Sequence, residues 1–465
     1  MTQTLRNSTP RVAHLTVAER AEAGKQARAK TPRTAHAQLV LDPGRDPVAR
    51  IHLEDEGRTA ELVPIRHERM KASAFAFYRG TASLMAGDLA STPRSGLRVQ
   101  LCGDAHLSNF GAYASPDRAL VFDLNDFDET LPGPFEWDVK RLATSFEIAG
   151  RHRDLPPAER RTLALTAVET YRTTMRELAA SSNLGVWYSR MDAARMNEMF
   201  RKLRDTKAER AFREAGEKAR AKDSARALGR LTEDVDGEPR FVSRPPLIVP
   251  VDEFIPDERA RDEVEEAIRE LLRRYRRTLQ GDRRVLLESY RFVDLAHKVV
   301  GVGSVGTRCW IALFLGRDPS DALVLQIKEA STSALEPFLG RAGFTNHGQR
   351  VVEGQRLMQA ASDIFLGWIR NPSGFDGNPR DFYVRQLWDW KGGFEIDTAP
   401  TAALSPYALI CGWTLARAHA RSGDRIAIAS YLGKSDVFDS AVADFAAAYA
   451  DIAEADHRSF SASTQ

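Results

Sequence analysis

The spacing of apolar side chains divides the chain into helix-rich and strand-rich stretches. From Met70 to Ala90 the run MKASAFAFYRGTASLMAGDLA repeats apolar residues on helical faces and predicts one largely buried helix, broken by Pro93, Ser95 and Gly96. A short apolar strand, LRVQLCG, then leads into the most polar cluster of the chain. Between Pro156 and about Leu279, charged stretches of helix formers such as AERRTLALTAVETYRTTMRELAA predict helices. They are interrupted by RFVSRPPLIVPVDEF, whose three prolines read as a connection or a substrate-facing loop. Near Val285 the character changes: RFVDLAHKVVGVGSVGTRCWIALFLG and LVLQIKEA are rich in β-branched and aromatic residues and predict a sheet. A helix around Gln349 to Ala361, a strand at DFYVRQLWDW and helices from Pro406 onward complete the pattern.

Composition adds limits. Residues 1–35 carry seven Lys or Arg against two acidic residues and no sustained hydrophobic period, so segment 1–45 is expected to be a mobile basic tail. A length of 465 residues favours two or three lobes, and 28% charged with 43% hydrophobic residues is an ordinary soluble composition. A net charge of only +2 makes nucleic acid an unlikely main partner. Cys102, Cys309 and Cys411 stand too far apart for a disulfide framework or a structural zinc site, and the default is a reducing, cytoplasmic setting. Without a run of about 18 apolar residues, no membrane span is expected.

The candidate chemistry begins with GDAHLSNFG and LVFDLNDFDE, which concentrate Asp104, His106, Asn109, Asp123, Asn125, Asp126, Asp128 and Glu129. Each set follows an apolar strand-like run, so both are expected at neighbouring strand ends, where side chains converge. Phosphoryl transfer needs a carboxylate to orient the attacking hydroxyl and oxygen ligands that hold magnesium against nucleotide phosphates. Asp104 fits the first role; Asn109, five residues on, and Asp123, fourteen further, have the kinase spacing for metal ligands. An Asx-rich turn is the plain structural alternative, and His106 is read as packing or hydrogen bonding rather than chemistry.

A second constellation follows. GVGSVGTR sets Gly301, Gly303, Ser304 and Gly306 in a glycine turn between strand-like runs, and Lys328 lies 22 residues after Gly306 in a V-A-I-K-like context. TRCWIALFLG continues as a strand, which disfavours a dinucleotide-binding turn. Glu353 is the expected partner of Lys328, with Glu336 as the alternative. Arg66, Arg69 and Arg79 in PIRHERMKASAFAFYRG suit either phosphate contact or packing and stay outside the expected site.

The first cluster resembles the aminoglycoside and choline phosphotransferase branch of the protein-kinase-like superfamily, whose catalytic loop reads roughly hGDxHxxN and whose metal strand reads hhDFxD. That branch also carries a structural Asp at the start of a following helix, where EWDVKRLATSF supplies Asp138. The whole chain from about 50 to 455 also resembles an uncharacterised bacterial family carrying these blocks. The resemblance implies an α+β, two-lobe kinase-like fold, with the glycine turn after the catalytic loop. Asp104 precedes Gly301 by nearly two hundred residues, so a circular permutation is expected. The expected parts are a mainly helical catalytic lobe (46–284), a β-rich nucleotide-binding lobe (285–390) with a hinge near YVRQL, and a helical segment (391–465) docking on the first. The expected function is an ATP- and Mg2+-dependent phosphotransferase acting on an unknown small-molecule or protein acceptor. Nucleotidyl transfer, a metal-dependent phosphoesterase and a nucleotide-binding regulator without turnover are the alternatives.

Overall fold

Helix Leu404–Ser422 carries small and apolar residues on most faces, whereas helix Phe135–His152 adds charged side chains such as Asp138 and Arg141 to its apolar ones; both are buried along nearly their whole length. With Pro157–Ala180 and Val437–Ser463 they form a helical body whose core includes Phe146, Tyr171, Leu415 and Phe445. The computed structural model describes residues 14–202, 206–220, 224–254, 258–299, 305–372, 378–387, 390 and 392–463. Its architecture is mixed α+β with antiparallel sheets. No helix among the described residues is long and apolar enough to cross a membrane.

Two small sheets hold the polar loops. Arg98–Leu101 pairs with Leu131–Pro134, and Phe110–Ala114 pairs with Leu120–Leu124 inside a four-stranded sheet. The largest sheet has six strands among the described residues, in the order Gly367–Asn371, Arg380–Gln386, Ala322–Ala330, Cys309–Leu315, Arg291–Lys298 and Ile248–Pro250. Side chains alternate across it. Ala312 and Phe314 pack with Ile268 and Tyr275 of helix Glu258–Arg276, whereas Ile311 and Leu313 pack with Leu231 and Phe241.

Several expectations change here. The sheet's companions begin well before residue 285, because Ile248–Pro250 supplies an edge strand and helix Glu258–Arg276 covers one face. Part of the proline-rich connection is therefore strand. The single helix expected over Met70–Ala90 is instead the end of Val63–Lys71, then Ala74–Arg79 and Ala82–Ala90. Ser73 caps the middle helix by accepting from the Ala76 amide at 3.0 Å, which forces a fresh start in the chain. The basic stretch expected to be a mobile tail contains helix Val17–Lys30, opened by a Thr16–Glu19 capping box. It lies against helix Arg425–Leu432 at Gly24, where a Cβ would come within 2.1 Å of the Ala427 carbonyl oxygen. Beyond it, buried His36 shares a 2.7 Å hydrogen bond with the Tyr431 hydroxyl.

Candidate active site

Strand Arg98–Leu101 delivers the chain to Gly103, whose φ of +87° turns it sharply toward the cavity. Asp138, in the first turn of helix Phe135–His152, straps this turn down by accepting from the amides of Cys102 (2.8 Å) and Gly103 (3.1 Å). His419 lies 3.2 Å from the same carboxylate.

The next residue is Asp104. Its Oδ1 accepts from Nε of Arg141 at 2.8 Å and pairs with the same guanidinium again at 2.7 Å, leaving Oδ2 3.6 Å from His106. Burial pushes the Asp104 carboxyl up, and the Arg141 charge opposes that shift. Burial, then Arg141 and Arg79, hold His106 well below the usual histidine range, so its ring is neutral beside the carboxylate. Asn109 donates to the Asp104 carbonyl at 2.7 Å, and its own carboxamide oxygen accepts no hydrogen bond among the described residues.

Asp104 and Asn109 line a cavity of about 330 Å³ with Asp126, Asp128, Arg50 and Arg79. Lys328, on strand Ala322–Ala330, is 4% exposed and reaches the cavity's acidic wall, 2.9 Å from Asp128 and 3.8 Å from Asp126. Burial alone would discharge this lysine, but Asp126 and Asp128 outweigh it and raise its pKa well above the ordinary value. Asp128 also accepts from the Tyr383 hydroxyl at 2.6 Å, so its carboxylate is occupied on both oxygens. Asp126 is held more loosely, accepting the Asp128 amide at 3.2 Å, and its side chain is 31% exposed. Burial, then Asp128, push the Asp126 carboxyl up; burial likewise raises neighbouring Glu129 to about 7 against the pull of Arg350.

Asp126 and the free oxygen of Asn109 suit a small hard cation, which takes one or two protein carboxylates and keeps much of its water. Among the described residues there is no cluster of three or more His, Cys, Asp or Glu side chains with metal-binding geometry.

Residues 58–463 match the family described as "Uncharacterized protein conserved in bacteria (DUF2252)". The chain belongs to that family. Comparison with curated proteins and with solved structures gives no match. The DUF2252 span contains Arg79, Asp104, Asn109, Asp126, Asp128 and Lys328, and starts eight residues after Arg50.

Within this DUF2252 chain three expectations require correction. Asp123 is not a cavity residue: it is 0% exposed, forms an ion pair with Arg417, and accepts from the amides of Leu124 (2.9 Å) and Ala360 (2.8 Å). With its oxygens taken and no place in the cavity lining, it does not stand where the expected metal ligand should be. Glu353 does not pair with Lys328; it faces Arg356 at 3.2 Å on its own helix, His347–Met358. Asp128 takes that partner's place. Glu336, the alternative, is not bonded to Lys328 either, and its Oε1 is buried without a hydrogen-bond partner among the described residues.

Of the glycine turn, Gly301, Gly303 and Ser304 lie outside the described residues. Gly306 is described, with its carbonyl accepting from the Thr59 amide at 2.8 Å. The residues that spacing missed are Asp126, Asp128, Arg141 and Tyr383. For Asp126 a signal was present, since the Asp-Phe pair of the hhDFxD pattern stands at Asp126-Phe127, whereas Asp123 is followed by Leu124.

Proposed function

We propose that this protein is an ATP- and magnesium-dependent phosphotransferase of protein-kinase-like type, permuted so that the glycine turn and Lys328 follow the catalytic loop. One observation carries the reading: Lys328 meets Asp128 and Asp126 at the cavity that also holds Asp104 and Asn109. A lysine, a metal-type carboxylate, an asparagine and a base-type carboxylate in one cleft form the set that phosphoryl transfer to a hydroxyl requires.

Asp104 receives the proton of the acceptor hydroxyl on Oδ2, the oxygen not engaged by Arg141. Arg141 opposes the burial that raises this carboxyl and fixes its direction. Asp126 and Asn109 would hold magnesium, which supplies charge neutralisation on the phosphates. Lys328 would exchange its ion pair with Asp128 for nucleotide phosphate, with Tyr383 continuing to hold Asp128. The acceptor is a small molecule or a protein bearing a hydroxyl.

The test is calorimetric titration of the full chain with a non-hydrolysable ATP analogue, with and without magnesium. Wild type should bind only with magnesium, and Lys328→Ala and Asp126→Asn should each weaken binding at least about tenfold, near 1.4 kcal/mol. Glu353→Gln should bind like wild type. Absence of magnesium-dependent binding by folded wild type would overturn the proposal.

A further inference from the structure

Two arginines in the cavity wall have no role in the chemistry described above. Arg79 closes helix Ala74–Arg79, and Arg50 lies on helix Pro47–Asp55; both side chains line the cavity with Asp104. The Arg79 guanidinium makes no hydrogen bond or ion pair among the described residues, and its Nε is buried without a partner. Its nearest neighbour of note is the Phe75 ring, 5.9 Å from the guanidinium carbon. Asp104, Glu395 and Asp397 act on it only across space, and burial still draws its pKa down. Arg50 touches Ser83 at 3.3 Å and lies over Phe338 at 5.6 Å, again with no ion pair.

Neighbouring charges differ. Arg66 is committed to Glu54 and Asp55, and Arg58 donates to the Val305 carbonyl at 2.6 Å. Burying a guanidinium without a direct ion pair is costly. An oxyanion bound to them removes that penalty, because each planar fork can give paired hydrogen bonds to phosphate or carboxylate oxygens.

We propose that Arg50 and Arg79 form an oxyanion subsite in the wall of the cavity, so that the acceptor carries a phosphate or carboxylate near the hydroxyl that approaches Asp104. The acceptor assignment rests on the phosphotransferase reading; the subsite itself does not.

The experiment is titration of the full chain with inorganic phosphate at constant ionic strength, alone and with saturating magnesium and the non-hydrolysable ATP analogue. Wild type, Arg79→Met, Arg79→Lys and Arg50→Gln are compared after circular dichroism confirms that each is folded. Wild type should bind phosphate saturably, at least tenfold more tightly than Arg79→Met or Arg50→Gln, and should keep binding with the analogue present. Arg79→Lys, which retains the charge, should lose less than Arg79→Met. Should one arginine variant fail to fold, the other decides. No saturable binding by wild type, or equal binding by wild type and the folded variants, overturns the subsite. Displacement of phosphate by the analogue assigns the two arginines to the donor's phosphates and overturns the acceptor assignment. Phosphate binding with the same sensitivity to substitution, but no nucleotide binding, keeps the subsite and removes the phosphotransferase.

Discussion

Gly103 controls the approach to Asp104 more tightly than any polar neighbour. Its φ is +87°, and a Cβ would stand 2.4 Å from the Glu129 carbonyl oxygen, so any side chain must move the loop after strand Leu120–Leu124. Gly103→Ala is expected to cost about 1–3 kcal/mol in urea unfolding and to weaken nucleotide binding, because the displaced loop carries Asp126 and Asp128. Asp104→Asn, in contrast, should retain binding and abolish transfer; transfer at the wild-type rate would remove Asp104 as the base. At this scale the sequence revealed the residue types well and their partners poorly. Counting fourteen positions from Asn109 selected Asp123, yet strand alternation and the Arg417 contact turn that side chain into the interior. Arg141 could not be found by motif, since it is the seventh residue of a helix buried from its first residue and only the docked loop gives it a carboxylate.

Elements were legible where a long apolar period existed and hidden where contact is made by small residues. The strands Cys309–Leu315, Ala322–Ala330 and Arg380–Gln386 and the helix Leu404–Ser422 agree with the hydrophobic pattern. Helix Val17–Lys30 buries only Gly24 and Ala27, so no apolar stripe announced it. The expected role of helix His347–Met358 was to present Glu353; its inward residue is Arg350, which donates to the carbonyls of Asp128, Thr130 and Ser331 at 2.8–2.9 Å. The docked N-terminal segment makes a pH prediction. Burial, then Lys140, lower the His36 imidazole to about 3, so the folded protein keeps it neutral while the unfolded chain protonates near 6.5. Stability from this group is complete above about pH 6.5 and falls as the pH drops toward 3, because the unfolded state binds the extra proton. Wild type should therefore lose stability faster than His36→Gln between pH 6.5 and 4 in urea unfolding. Parallel curves would show that His36 is not buried against Tyr431.

Over the whole molecule, charged contacts join distant parts of the chain. Lys328 of the six-stranded sheet meets Asp128 across 200 positions, and Arg417 of the helical body meets Asp123 of the four-stranded sheet across 294. Which surface an amphipathic helix such as Glu258–Arg276 covers was not readable, because its apolar face satisfies any apolar partner until the sheet exists. The Asp123–Arg417 pair is buried at both ends, with exposures of 0% and 1%. Asp123→Ala should cost about 3–5 kcal/mol, since it strands a guanidinium in the interior, whereas replacing both residues with apolar ones should cost less. Equal losses in the single and double variants would remove the pair as a fastening. The same pair bears on how the protein is made. At ribosomal speeds of roughly 5–20 residues per second, Asp123 waits about 15–60 s for Arg417 to be synthesised. Until then the Asp123 carboxylate lacks the buried partner that offsets its desolvation, so strand Leu120–Leu124 is expected to reach its final packing only after residue 417 has been added.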